Sequence, residues 1–415
     1  MKKVVIAGAG AAGMMAAGLA ARAGCDITLV EKNEKPGRKL MITGKGRCNV
    51  TNNCDIDEFL ANVPVHPKFL YSALHRFGPS NTIRFFEDLG IPLKTERGKR
   101  VFPQSDHAAD IVDALRRYAA QGGARLLHGS ARALHIDESN GIRQVRGLLL
   151  EDRSELPADA VLLCTGGKSY PLTGSTGDGY RIAEQAGHHI MPVKPSLVPI
   201  ETAENWPAEL QGLSLKNIRL SVTEGKKQTP IFDEIGEMLF THFGISGPLV
   251  LSASSHIRSL GKKSYTIRLD LKPGLTPQQL DLRLQRDFVK YSNHDFINSL
   301  GDLLPRKLIP VIVRLSDIPP DCKVHQITRE MRTALVDLIK RLEMTPKAFR
   351  PIAEAIITSG GVDIKEVDPS TMQSKLVRGL YFAGEILDVD AHTGGFNLQI
   401  AFSTGYAAGI SISLE

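Results

Sequence analysis

A chain of 415 residues is longer than one ordinary domain, so two or three are expected. At 42% hydrophobic residues, with no apolar run long enough to span a bilayer, the composition is that of a globular protein and argues against a helical membrane protein. The net charge of +6 and a pI near 9.0 permit a polyanionic partner without demanding one. Cys25, Cys48, Cys54, Cys164 and Cys322 are odd in number and form no C-x-x-C pair, which argues against a disulfide framework and a zinc site; no metal is expected. Lys2-Lys3 before an apolar stretch imitates a signal peptide. Five glycines, Arg22 and Asp26 interrupt that stretch, so a cytoplasmic location away from membranes is expected.

The chain opens on Lys3 to Ala7, a short buried parallel strand, and Gly8-Ala9-Gly10-Ala11-Ala12-Gly13 follows at once. A small-residue helix runs to about Gly24, and a second apolar strand, Ile27 to Val30, stops on Glu31. Strand, G-x-G-x-x-G, helix, strand and acid in this order form a dinucleotide-binding unit. Gly8 serves the tight turn, Gly10 the approach of a pyrophosphate and Gly13 close helix–sheet packing, with Ala12 beside them. The helix N-terminus offers unpaired N–H groups to the pyrophosphate, and Glu31 stands where a ribose is bound. The motif alone does not choose between FAD and NAD.

Lys32 to Asn52 reads as a glycine-rich basic loop without regular structure: Lys32, Arg38, Lys39, Gly44, Lys45, Gly46, Arg47, Cys48, Asn49. It is either a surface loop or a cofactor loop, and its place after Glu31 favours the second. Residues 67–90 read as helical, ended by Gly90 and Pro92, and a helix carrying Ile111, Leu115 and Tyr118 ends at Gly122-Gly123. Between them Lys94, Arg97, Lys99 and Arg100 form a basic hairpin, either a solvated surface or a phosphate contact. Short strands are expected at about 125–128, 131–137, 142–150 and 160–164, with a hairpin turn at Asn140-Gly141. The last strand runs into Thr165-Gly166-Gly167. Gly174 to Gly179 opens a helix of about 180–187, with Asp178 either capping it or touching the cofactor.

From Pro192 to about Leu271 the pattern is short alternating strands, with Thr241 to Pro248 as a glycine-proline loop carrying His242. Thr276 to about Leu315 is helix-rich, and Thr345-Pro346 opens a further helical piece broken at Pro351. Near the end, Gly379 to Ala383 reads as a buried strand ending on Gly384-Glu385. A loop with Asp388, Asp390 and His392 leads through Gly394-Gly395 into a closing helix that begins with Asn397, Leu398 and Gln399. A second strand–acid–loop–helix suits a ribityl chain and flavin ring, with Glu385 or Asp388 on the ribityl hydroxyls and the helix N-terminus on the pyrimidine ring. An NAD enzyme has no need of it, so the two ends together indicate FAD.

The segments Gly8–Gly13, Gly37–Asn52, Arg100–Pro103, Gly174–Gly179, Thr241–Pro248 and Gly384–Gly409 resemble the HI-type, YhiN-like flavoproteins, the BaiN/RdsA family of FAD-dependent oxidoreductases. The resemblance covers nearly the whole chain. It implies an α/β fold, with a Rossmann-like FAD-binding domain of the two-dinucleotide-domain type at 1–194 and 356–415. It also implies an inserted β-barrel-like substrate domain at 195–275 and 325–355 and a small helical subdomain at 276–324. Ala133 in the meander joins the expected cofactor residues. The implied chemistry is reduction of an activated C=C bond by flavin hydride transfer, with NAD(P)H as donor and uridine in 23S ribosomal RNA as the favoured substrate. A small-molecule enone reductase or amine oxidase is the alternative, and a non-enzymatic flavin-binding ribosome assembly factor is a further one. Cys48, His242 and His392 are the candidate proton donors; Cys48 is either a thiolate favoured by Arg47 or a small buried thiol, and either histidine is a donor or a structural residue.

Overall fold

The computed structural model describes residues 1–414, in two compact units: 1–196 with 351–414, and 197–350. In the first, five parallel strands lie in the order Leu380–Phe382, Ala160–Leu163, Lys3–Ala7, Asp26–Glu31, Arg125–His128. The strands at the centre are continuous apolar runs because both faces are covered. The helices Ala11–Arg22 and Phe396–Leu414 pack together through small residues. A Cβ on Gly405 would stand 2.5 Å from the Ala12 carbonyl oxygen, and one on Gly409 3.1 Å from the Ala16 backbone. The first and last thirds of the chain thus meet over one sheet.

Beside the sheet lie a three-stranded meander, Ala131–Ser139, Ile142–Leu150 and Glu155–Pro157, and the small sheet Thr51–Asn52, Arg100–Pro103, Leu93–Glu96. Two antiparallel strands, Ile190–Ser196 and Ile357–Val362, lie where the chain leaves and rejoins this unit. Asp390 accepts hydrogen bonds from Ser196 and Ser359, both at 2.9 Å, and so ties the two strands to the C-terminal loop.

The second unit is a seven-stranded antiparallel sheet in the order Leu342–Met344, Tyr265–Asp270, Ser214–Glu224, Phe232–Thr241, Gly244–Ser246, Ile200–Thr202, Pro346–Phe349. Its two outer strands are consecutive in the chain with only Thr345 between them, so the sheet curls into a barrel. The helices Pro277–Lys290, Ile309–Leu315 and Arg329–Lys340 share one apolar core with it.

Several sequence expectations are corrected. The run 67–90 is broken into Pro67–Leu70, Tyr71–Arg76 and Pro79–Asp88, because Phe77 leaves the helical region and Gly78-Pro79 starts a new helix. Lys32 to Asn52 is not irregular throughout: Arg38–Ile42 is a short helix entered through left-handed Gly37, followed by a tight turn at Thr43–Gly46. Pro346–Phe349 is a strand, not a helix; its proline sits at the first strand position beside a register shift, where no ladder N–H is needed. The stretch from Pro192 to Leu271 also contains a helix, Pro248–His256.

Candidate active site

The three glycines of the first turn do different work. Gly8 has φ +107°, and a Cβ there would lie 2.5 Å from the Cys164 carbonyl oxygen. A Cβ on Gly13 would lie 1.9 Å from the Gly8 carbonyl oxygen. Gly10 is different: no protein atom lies within 4 Å of a Cβ built there. Its side is open, the helix it precedes has no side-chain cap, and the first turn carries no acid. Unpaired N–H groups and the positive end of the helix dipole are therefore presented to an anion.

Glu31 is buried at the end of its strand. Its carboxylate accepts from the Ala9 N–H at 2.9 Å and from Asn33 through the peptide N–H at 2.9 Å and the side chain at 2.7 Å. Arg38 donates to Asn33 at 3.2 Å. Lys32 donates to Asp178 at 2.6 Å and Thr176 at 2.5 Å. Burial would raise Asp178, but the hydrogen bonds from Lys32 and Thr176 outweigh it and hold the carboxyl below its usual range. Lys39 reaches the other end of the chain, with Nζ 2.7 Å from Glu385 and 2.6 Å from Ser169. Glu385 also accepts from the Thr358 N–H at 2.9 Å, and Thr358 Oγ1 accepts from the peptide N–H of Lys168 at 2.8 Å. Lys39 from the loop after Glu31, Lys168-Ser169, Thr358 and the C-terminal acid Glu385 form one hydrogen-bonded network.

Two polar atoms in these loops are closed off inside the protein. Asn49 Oδ1 and Thr165 Oγ1 are buried without a hydrogen-bond partner. Each such atom costs about 1–3 kcal/mol if left so. The open side of Gly10, by contrast, leaves room for a pyrophosphate such as that of FAD. With the bare helix N-terminus, the residues present fit this cofactor.

Other expected residues take different places. Arg47 is not available to phosphate: its guanidinium binds Glu96 and Asp106, with Nε–Oδ1 2.8 Å, and lies 4.2 Å over the Phe102 ring. Cys48 beside it is a small buried thiol and not a thiolate. Cys48 is fully buried with φ +59°, and burial pushes its thiol up to about 12 despite a hydrogen bond with Thr43. Gln399 is buried and spent on protein: it accepts from Thr51 at 2.6 Å and donates to the Phe77 carbonyl at 3.1 Å and Ser403 at 3.0 Å. Its side chain cannot serve the cofactor. Asn397 folds back on its own loop, accepting from the Ala391 N–H at 2.9 Å and donating to the carbonyls of Ala391 and His392 at 2.8 and 3.2 Å. Leu398 is half-buried at the helix start, Gly46 is left-handed in the Thr43–Gly46 turn, and Ala133 is half-buried on the meander.

His392 is half-buried and donates its peptide N–H to the Asn62 carbonyl at 3.0 Å. Asp388 is buried with His66 at 3.2 Å; burial pushes its carboxyl up, and His66 offsets this only in part. His242 is exposed on the hairpin Phe232–Ser246 of the second unit. Sequence reasoning missed Asn33, Ser169, Thr358, Asn62 and His66. Asn33 was within reach, two residues past the acid; the others come from segments with no local signal.

A Rossmann sheet with a bare helix N-terminus, closed by a returning strand, acid and helix, defines an FAD-dependent oxidoreductase. The chain belongs to the HI0933-like protein Rossmann domain family, which matches residues 2–411. It is 32% identical to the 3-dehydro-bile acid delta(4,6)-reductase of Clostridium scindens, over 99% of this chain and 98% of that protein. It is also 32% identical to the ribosomal RNA dihydrouridine synthases of Haemophilus influenzae, over 99% and 98%, and of Escherichia coli, over 97% and 96%. The fold is similar to that of 3-ketosteroid delta1-dehydrogenase from Sterolibacterium denitrificans, with a TM-score of 0.52 and 15% identity over 100% of both chains. Among the described residues, no helix is long and apolar enough to cross a membrane.

Proposed function

We propose that this chain reduces an activated C=C bond, with uridine in large-subunit ribosomal RNA as the favoured substrate and NAD(P)H as the electron donor. One observation carries the proposal. Two kinds of relative match the full chain at the same 32% identity, and their names share one step. A delta(4,6)-reductase and a dihydrouridine synthase both saturate a C=C bond conjugated to a carbonyl. FAD, when bound, supplies the hydride transfer. The chain's own residues hold and orient. The Gly10 turn receives the pyrophosphate and Glu31 the ribose, while Glu385 and Asp388 serve the ribityl side.

The carbon beside the one receiving hydride needs a proton. His392 is the proposed donor, because it is half-buried in the loop that enters the closing helix and is held by Asn62 and Asn397. Asn397 is then a positioning residue. His242 is the second candidate, and sealed Cys48 is set aside. His392→Gln should lower turnover about 100-fold while the bound-flavin spectrum is unchanged.

The equal match to the bile acid reductase supports a small conjugated enone as the second reading. Mass spectrometry of ribosomal RNA from cells with and without the gene separates the two. Loss of one dihydrouridine, restored by the wild-type chain, supports the RNA substrate. Unchanged RNA, with enone turnover by the purified holoenzyme and NAD(P)H alone, supports the small molecule.

A further inference from the structure

The positive charge of this chain is unevenly distributed. Residues 197–350 hold 22 Lys and Arg against 17 Asp and Glu, so five of the six excess positive charges lie in the second unit. Within the first unit, Lys94 and Lys99 of the basic hairpin are paired with acids, while Arg97 and Arg100 stay exposed. Lys94 pairs with Asp106 at 2.6 Å, Lys99 with Glu58 at 2.5 Å, and Arg47 with both Glu96 and Asp106. Much of the second unit is also paired: Arg219 with Asp233, Arg268 with Glu343, Lys290 with Asp302, Arg314 with Glu209 and Arg332 with Asp281.

Two turns of the second unit depart from this pattern. The strands Ser214–Glu224 and Tyr265–Asp270 pair antiparallel with Glu224 opposite Tyr265. This register sets the turn after Glu224 beside the turn before Tyr265, and the Gly225 N–H donates to the Ser264 carbonyl at 2.8 Å. Two dibasic pairs 36 residues apart in sequence, Lys226-Lys227 and Lys262-Lys263, are thereby brought together, with Arg258 in the same second turn. All five are exposed. Glu224 pairs with Lys263 at 2.9 Å and with Lys227 at 3.2 Å. It holds two ammonium groups close together and leaves a clear positive excess. Neighbouring strands lie about 4.8 Å apart. The cluster is therefore dense, as is the charge along a duplex, about one phosphate per 1.7 Å of axis.

We propose that these paired turns, 225–231 and 258–264, grip the phosphate backbone of the RNA substrate. This rests on the ribosomal RNA reading above and adds where the RNA is held. Flexible lysines suit such a role, because they contact phosphate as point charges and read no base. The grip therefore governs affinity and salt dependence rather than the choice of base.

The test uses full-length holoenzyme and an unmodified transcript of large-subunit ribosomal RNA. Lys226, Lys227, Lys262 and Lys263 are changed together to Ala, and binding is measured between 50 and 200 mM salt. The log–log salt slope should become shallower by about 3, since each phosphate contact contributes about 0.7–0.9. Affinity at low salt should fall by about tenfold or more. The flavin spectrum and the rate of flavin reduction by NAD(P)H should be unchanged. Two double variants, K226A/K227A and K262A/K263A, should each lose about half the slope change, and they carry the test should the quadruple variant fail to load flavin. Salt-sensitive binding by the wild type with the same slope in the variants overturns this inference and leaves the RNA reading standing. Absence of salt-sensitive binding by the wild type overturns both.

Discussion

The open space at Gly10 makes a prediction that separates binding from folding. Gly10 has φ −86° and ψ −164°, which any residue adopts, and an added Cβ meets no protein atom within 4 Å. Gly10→Ala should therefore leave the flavin-free protein as stable as wild type, or raise its stability by about 0.4–1 kcal/mol through the unfolded chain. The methyl group does occupy the approach to the helix N-terminus. Losing one charge-assisted hydrogen bond there costs about 1.5–3 kcal/mol, which is about 10- to 150-fold in FAD affinity. Gly13→Ala is the contrast. Its Cβ would lie 1.9 Å from the Gly8 carbonyl oxygen, a backbone atom that cannot swing aside. The helix-propensity gain of about 1 kcal/mol is outweighed, and a net loss of about 2 kcal/mol or more is expected. That lowers Tm by about 4–8 °C. Thermal melts of the flavin-free proteins and fluorescence titration with FAD measure the two effects. If Gly10→Ala melts several degrees low, or binds FAD as wild type does, the assignment of Gly10 to the ligand side is wrong.

Further expectations follow from the ties around the site. Gln399→Leu should destabilise the fold by about 1–3 kcal/mol, because it strands the buried Thr51 hydroxyl; a melt should show the loss, and a fall in FAD affinity without it would contradict a structural role. Lys39→Met removes an ion pair whose side chains are 23% and 21% exposed, so a loss of about 1 kcal/mol is expected in a denaturant titration, together with weaker flavin retention. Native Cys48 should resist a thiol reagent at pH 8 that labels the unfolded chain fully, and rapid labelling would show that the site opens. Asp178 is held below its unfolded pKa, so its contribution is present above about pH 4 and is lost as pH falls through the folded value. Asp178→Asn should therefore flatten the decline in stability between pH 5 and pH 3, and an unchanged decline would remove Asp178 from the account.

The chain itself determines the first thirty-one residues of structure. Strand, turn, helix and acid are adjacent in sequence, and each is set by local chemistry: apolar β-branched runs, glycines and small residues. The returning strand Leu380–Phe382 and the closing helix are legible for the same reason. Elsewhere local pattern misled. Pro346 opens a strand because a barrel position next to a register shift accepts it, and propensity carries no trace of that partner. Gln399 sits beside the expected flavin helix in sequence, yet its amide is turned toward Phe77 and Ser403, 322 and four residues away.

Only tertiary structure decided which charges are spent. In sequence, Arg47, Lys94 and Lys99 read as basic and available. Folding gives them Glu96, Asp106 and Glu58, and so spends two of the four cations of the basic hairpin, leaving Arg97 and Arg100 exposed. The two lysine pairs at 226–227 and 262–263 lie 36 residues apart in sequence, and β-sheet register brings them together. Motifs for dinucleotide binding are local because one turn of backbone makes the contact. Electrostatic surfaces and buried hydrogen-bond rings are not local, because Coulomb energy and desolvation depend on distance in space and not on distance along the chain.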